Sequence, residues 1–198
     1  MTRKTYHHGD LKAVLLRAAE EVLSKTGVEG FSLREVARQV GVSHAAPAHH
    51  FGDAHGLLTA LSTEGFRRFL QAMRARQATA EKSARAQLIA SGLGYIDFAV
   101  SAPALFRLMF NSDFAGAENP DLKDACDASF LHLVDDVGRV RGLSPLQNHA
   151  AMVDVIAAWS AVQGFAELFV SGRLHPLPEW PHPETEAAAI SIIERSVP

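Results

Sequence analysis

The sequence predicts an all-α protein, and three observations carry that prediction. Apolar residues recur at the three- and four-residue spacing of a helix face along nearly the whole chain, and no alternating run is long enough for a useful strand. Glycine, proline and capping residues punctuate the pattern at helix-length intervals, so about nine helices are expected. With 198 residues the chain can bury roughly 70% of its unfolded surface without staples or metals. Cys126 is the only cysteine, which excludes an intrachain disulfide and reads as a small buried core thiol.

Asp10 is placed to cap a first helix in which Leu11, Leu15, Ala18, Val22 and Leu23 share a face and which Gly27 ends. Ser32-Leu33-Arg34-Glu35 has the form of a capping box opening a short second helix with Leu33, Val36, Ala37 and Val40 on its apolar side. Gly41 permits a tight turn, and Ser43 is placed to cap a third helix ending near Phe51. A long connecting helix follows, with Leu57, Leu58, Leu61, Phe69, Leu70 and Met73 inward and Arg67, Arg68, Arg74 and Arg76 in solvent. Ser83 to about Ser101 forms a fifth helix, and Ala102-Pro103 breaks it before a compact sixth around Leu105 to Phe110. Asn119 and Pro120 open a seventh that runs to Gly142. Ser144-Pro145-Leu146-Gln147 repeats the device to open a long apolar eighth, to about Gly172. The proline-rich stretch from Arg173 to Pro183 reads as a loop, and Pro183 starts a last helix ending near Ser196.

The formal net charge of -3 is unevenly spread: Met1 to His55 carries seven basic and six acidic residues, and the remainder is net negative. Six of the ten histidines also fall in that first segment, so it holds the only mildly cationic potential. Within it, Val36-Ala37-Arg38-Gln39-Val40-Gly41-Val42-Ser43 has the arrangement of a helix-turn-helix. Ala37 is small enough for close helix approach, Gly41 turns the chain, and Val36, Val40 and Val42 pack the angle. The third helix would then project and enter the major groove. Candidate DNA contacts are Ser32 and Arg34 at the second helix, and Ser43, His44, Ala45, Ala46, His49 and His50 at the third. Arg3 and Lys4 are candidates as an arm along the backbone. Spacing alone also fits a plain helical hairpin.

From Tyr6 to Leu58 the pattern YHHGDL, SLREVARQVGVS, HHFGD and LL resembles the TetR family of one-component repressors. The segment Trp159-Ser160-Ala161-Val162-Gln163-Gly164 resembles the Trp-His-Gly helix of one C-terminal subclass, with Gln163 in place of the histidine. The resemblance implies a DNA-binding part over residues 1–55 and a helical ligand-binding and dimerisation part over residues 56–198. It implies a homodimer that pairs through helices eight and nine, a palindromic operator, and a small, largely apolar effector that moves the connecting helix. No cofactor or metal is implied, and a cytoplasmic location is expected. Two departures stand out: family members commonly carry a tyrosine where this chain has Ala48 and a lysine where it has Ala54, both reaching DNA phosphates. Losing such a lysine from each of two protomers lowers the salt dependence of binding by a slope of about 1.8.

In the C-terminal part, Phe98, Phe106, Met109, Phe110, Phe130, Trp159 and Phe169 recur at turn-like spacing and are candidates to line an apolar cavity. Gln163 and His132 are candidates for its polar contacts. Ordinary core packing produces the same stripe. A histidine-dependent metalloenzyme is disfavoured, since His44, His49, His50 and His55 lack an i, i+4 ligand pair and no phosphate loop or nucleophile elbow occurs. A helical dimer that binds a ligand or partner and has lost DNA binding is the other reading, motivated by Ala48 and Ala54. No apolar run approaching the ~20 residues of a membrane span is expected.

Overall fold

A computed structural model of the protein describes residues 8–110, 119–175 and 182–197. Among them, regular structure is wholly helical: α1 (His8–Thr26), α2 (Leu33–Val40), α3 (Ala45–Phe51), α4 (Ala54–Thr79), α5 (Ala84–Ser101), α6 (Pro103–Met109), α7 (Pro120–Arg141), α8 (His149–Val170) and α9 (His182–Ser196). The chain divides into two compact units, one of residues 1–65 with 104–123 and the other of residues 66–103 with 124–198.

In the first unit α1 packs on α2 and α2 on α3. Leu15, Ala19, Val22 and Leu23 of α1, Val36 and Ala37 of α2, and Leu57 and Leu61 of α4 are all almost fully buried, because each helix presents one apolar stripe and turns it inward. In the second unit α5, α8 and α9 pack against one another. Gly94 of α5 sits against the backbone of α4, where a Cβ would lie 2.5 Å from the Ala72 carbonyl oxygen. Phe69 of α4 meets Tyr95 and Phe98 of α5 edge-on, with ring centroids 4.6 and 5.5 Å apart.

Several boundaries follow the local chemistry. Gly27 ends α1 at a φ of 67° and Gly142 follows α7 at 69°. The Ser83 hydroxyl caps α5 by accepting from the Ala86 amide at 3.3 Å, and Asn119 Oδ1 caps α7 by accepting from Leu122 at 3.0 Å. Other caps differ from expectation. The chain is already helical at His8, so Asp10 lies inside α1. Ser32 is extended but makes no side-chain cap bond, and the reciprocal half of the capping box is also unmade, because Glu35 pairs with Arg38 instead of reaching back. Ser43 contributes its carbonyl to Ala46, and α3 begins only at Ala45. Ser144-Pro145-Leu146-Gln147 forms a separate 3-10 turn, Pro145–Gln147, while Asn148 caps α8 through the Ala151 amide at 3.1 Å. Pro145 is buried with its ring over Gly138, which fixes that turn before the long helix can start.

Cys126 is half-buried rather than enclosed, and burial still pushes its thiol up to about 11. Contrary to the sequence expectation, α8 is long and apolar enough to cross a membrane by length and composition alone. The reason is that it is apolar on two sides. Ala151, Val155, Ala158, Val162, Phe165 and Ala166 are buried, whereas Val153, Ile156, Trp159 and Leu168 remain exposed.

Candidate nucleic-acid interface

The turn between α2 and α3 is built by hydrogen bonding that only a left-handed residue permits. Gly41 adopts φ 75° and ψ 32°; its amide donates to the Arg38 carbonyl at 3.2 Å while Val42 donates to Ala37 at 3.1 Å. These two bonds are the paired closures of a Schellman motif, and they stop α2 and turn the chain into α3. Beneath the turn Val36 and Ala37 are completely buried, as the helix-turn-helix packing requires. Pro47 is the buried residue of α3. It lies in the first turn, where its missing amide proton would have had no intrahelical acceptor.

The opposite side of α3 is open to solvent. Ser43, His44, Ala45, Ala48 and His49 are exposed, while Ala46 and His50 are half-buried. His49 and His50 stand edge-to-face with centroids 5.6 Å apart. Arg34 is exposed on α2 and Ser32 half-buried before it. Arg3 and Lys4 lie outside the described residues. Arg38, also exposed, is held by Glu35 through bonds of 2.8 and 2.5 Å, and that contact lowers the Glu35 carboxyl below its usual range. The α3 helix ends at Gly52, whose amide donates to Ala48 at 2.8 Å. Asp53 then caps α4, its Oδ1 accepting from Gly56 at 2.8 Å; the Asp-x-x-Gly spacing was a signal available in the sequence.

A family profile described as bacterial regulatory proteins, tetR family, matches residues 15–61, and a second, described as tetracyclin repressor-like, C-terminal domain, matches residues 88–191. The chain belongs to the TetR family. No curated protein matches the sequence. Among solved structures, a protein with unknown function from Rhodococcus sp. RHA1 is 35% identical, with 98% of this chain and 99% of that one covered at a TM-score of 0.80. A TetR-like transcriptional regulator from the same organism shares the fold at 16% identity, covering 96% and 97% of the two chains at a TM-score of 0.69. The TetR family transcriptional regulator PfmR from Thermus thermophilus does so at 18% identity, covering 92% and 96% at 0.66. This TetR-family protein is accordingly a DNA-binding transcriptional regulator and not an enzyme.

The nine candidate effector contacts fall in both units of the regulator. In the first, Phe106 is fully buried with its ring 4.9 Å from that of Phe110, and Met109 is buried beside Gly65. In the second, Phe98 packs on Phe69, Phe169 lies 6.1 Å from Phe165, and Phe130 meets Trp159 at 6.0 Å with both rings partly exposed. Gln163 accepts a hydrogen bond from the buried Tyr95 hydroxyl, to which the Trp159 indole also donates. Burial holds that phenol protonated, pushing it well above the ordinary tyrosine range. His132 is also already engaged. Its Nε2 donates to Gln77 Oε1 at 2.9 Å, and Gln77 Nε2 donates to the buried Asp136 carboxylate at 2.9 Å and to the Gln87 carbonyl at 3.1 Å. Neither Tyr95 nor Asp136 is visible to periodicity as a partner of these residues, although one of only two tyrosines on an apolar helix was a usable signal.

Proposed function

We propose that the protein is a ligand-responsive repressor that works in the cytoplasm as a homodimer, with two copies of α3 placed on the half-sites of a palindromic operator. The observation that carries this reading is the second apolar face of α8. Val153, Ile156, Trp159 and Leu168 are 61%, 53%, 39% and 42% exposed, and Ala157 and Ser160 are exposed between them. Such a face asks for a partner outside the chain. A second copy is the simplest one, because small residues flanked by large ones let two copies of the same helix approach closely. Reading a palindrome requires two recognition helices about one DNA turn apart, roughly 34 Å.

In this reading residues 1–55 bind DNA and residues 56–198 pair and respond to the effector. The likeness of the Trp159–Gly164 segment to the Trp-His-Gly helix supports an effector beside α8. Because Gln163 and His132 are already hydrogen-bonded, an effector that contacts them exchanges existing bonds and gains little polar energy. Its affinity must come from the aromatic side chains, which favours a largely apolar molecule.

Analytical ultracentrifugation and a mobility shift on DNA from upstream of the chain's own gene test the proposal. The wild type should sediment as a dimer and shift the fragment, and Val153→Glu with Ile156→Glu should give a helical monomer with greatly reduced binding. A wild-type monomer, or a double variant that still dimerises, would refute the pairing.

A further inference from the structure

By the resemblance set out above, Ala48 in the middle of α3 and Ala54 at the start of α4 stand where a tyrosine hydroxyl and a lysine cation are common. At that edge the structure brings in another cation. Lys12, exposed on α1, carries its Nζ 5.9 Å from the centroid of the Phe51 ring. Phe51 is the last residue of α3, and Ala54, the first of α4, follows three residues later and so within about 11 Å of backbone.

We propose that Lys12 is a phosphate-contacting residue of the DNA interface, reaching from α1 to supply the charge that position 54 lacks. The inference rests on α3 being the recognition helix and adds a contact to it. Among the described residues, no carboxylate lies within ion-pair distance of Lys12, whereas Arg38 on α2 is held by Glu35. Among the described residues the ammonium is therefore not committed to a neighbouring charge. The ring occupies one side of it and steadies a flexible stem, so less side-chain freedom is lost when a phosphate oxygen meets the remaining donors. The contact carries no base information, so its signature is electrostatic and independent of sequence.

The test is fluorescence anisotropy over a salt series, on a short duplex from upstream of the chain's own gene. Each neutralised phosphate contributes about 0.9 to the slope of log affinity against log salt. Lys12→Gln should lower the slope by about 1.8 for a dimer, Lys12→Arg should keep it, and Ala54→Lys in the Lys12→Gln background should restore it. An unchanged slope in Lys12→Gln would overturn the proposal. So would a loss of affinity at constant slope with a lower melting temperature, which would assign Lys12 to packing on Phe51. Failure of Ala54→Lys to restore the slope would refute the substitution of one position for the other. If the wild type bound no duplex, the recognition-helix reading itself would fall, a result distinct from a bound complex whose slope ignores Lys12.

Discussion

Replacing Gly94 with alanine tests whether the α4–α5 contact depends on backbone touching backbone. A Cβ there would lie 2.5 Å from the Ala72 carbonyl oxygen, 2.6 Å from Met73 Cα and 2.8 Å from the Ala72 carbonyl carbon. Relief requires the two helices to part locally by roughly 1 Å, because none of the atoms struck can rotate away. Alanine gains about 1 kcal/mol of helix propensity over glycine. Overpacking costs about 1–3 kcal/mol or more. Parting the helices also loosens the edge-on Phe69 contacts with Tyr95 and Phe98, at about 0.5–1.5 kcal/mol each. The net expectation is a loss of about 2–4 kcal/mol. Gly65→Ala is the control, since its Cβ would fall nearly as close, 2.6 Å, to Met109 Sδ, the end of a flexible side chain. There propensity and displacement roughly cancel, and a change within about 1 kcal/mol is expected. Urea unfolding followed by circular dichroism reads both. Equal destabilisation of the two variants would show that closeness alone, and not what is struck, sets the cost.

Burial holds His132 below its ordinary value of 6.5, against the opposing pull of Asp136. The unfolded chain therefore binds more protons than the folded one between those two values, so this stability is present above about pH 6.5 and is lost as pH falls toward the folded value. Urea midpoints between about pH 7.5 and 5.5 should decline for the wild type and flatten in His132→Gln, which keeps an amide donor; parallel curves would refute this. Glu35→Ala should release Arg38 on the exposed face of α2, leaving the melting temperature in place while steepening the salt dependence of DNA binding by up to about 1.8 for a dimer. An unaltered slope would mean that Arg38 does not face phosphate.

The order of helices was legible because stops and starts are short-range chemistry. Gly27, Gly41 and Gly142 can adopt left-handed backbone cheaply, and Asn119 and Ser83 have an amide three residues on to accept from. The helix-turn-helix was legible for the same reason, with one small residue, one glycine and three valines inside eight positions. What only the tertiary structure decided lies in contacts far apart along the chain. Periodicity cannot reveal that Gln77 and Asp136, 59 residues apart, already occupy His132, or that Tyr95 occupies Gln163. Nor can it say which of two neighbouring caps, Ser144 or Asn148, opens α8, since that depends on Pro145 settling over Gly138. A cap needs only its own turn of backbone, whereas a buried polar group takes whichever partner the packing of other helices delivers.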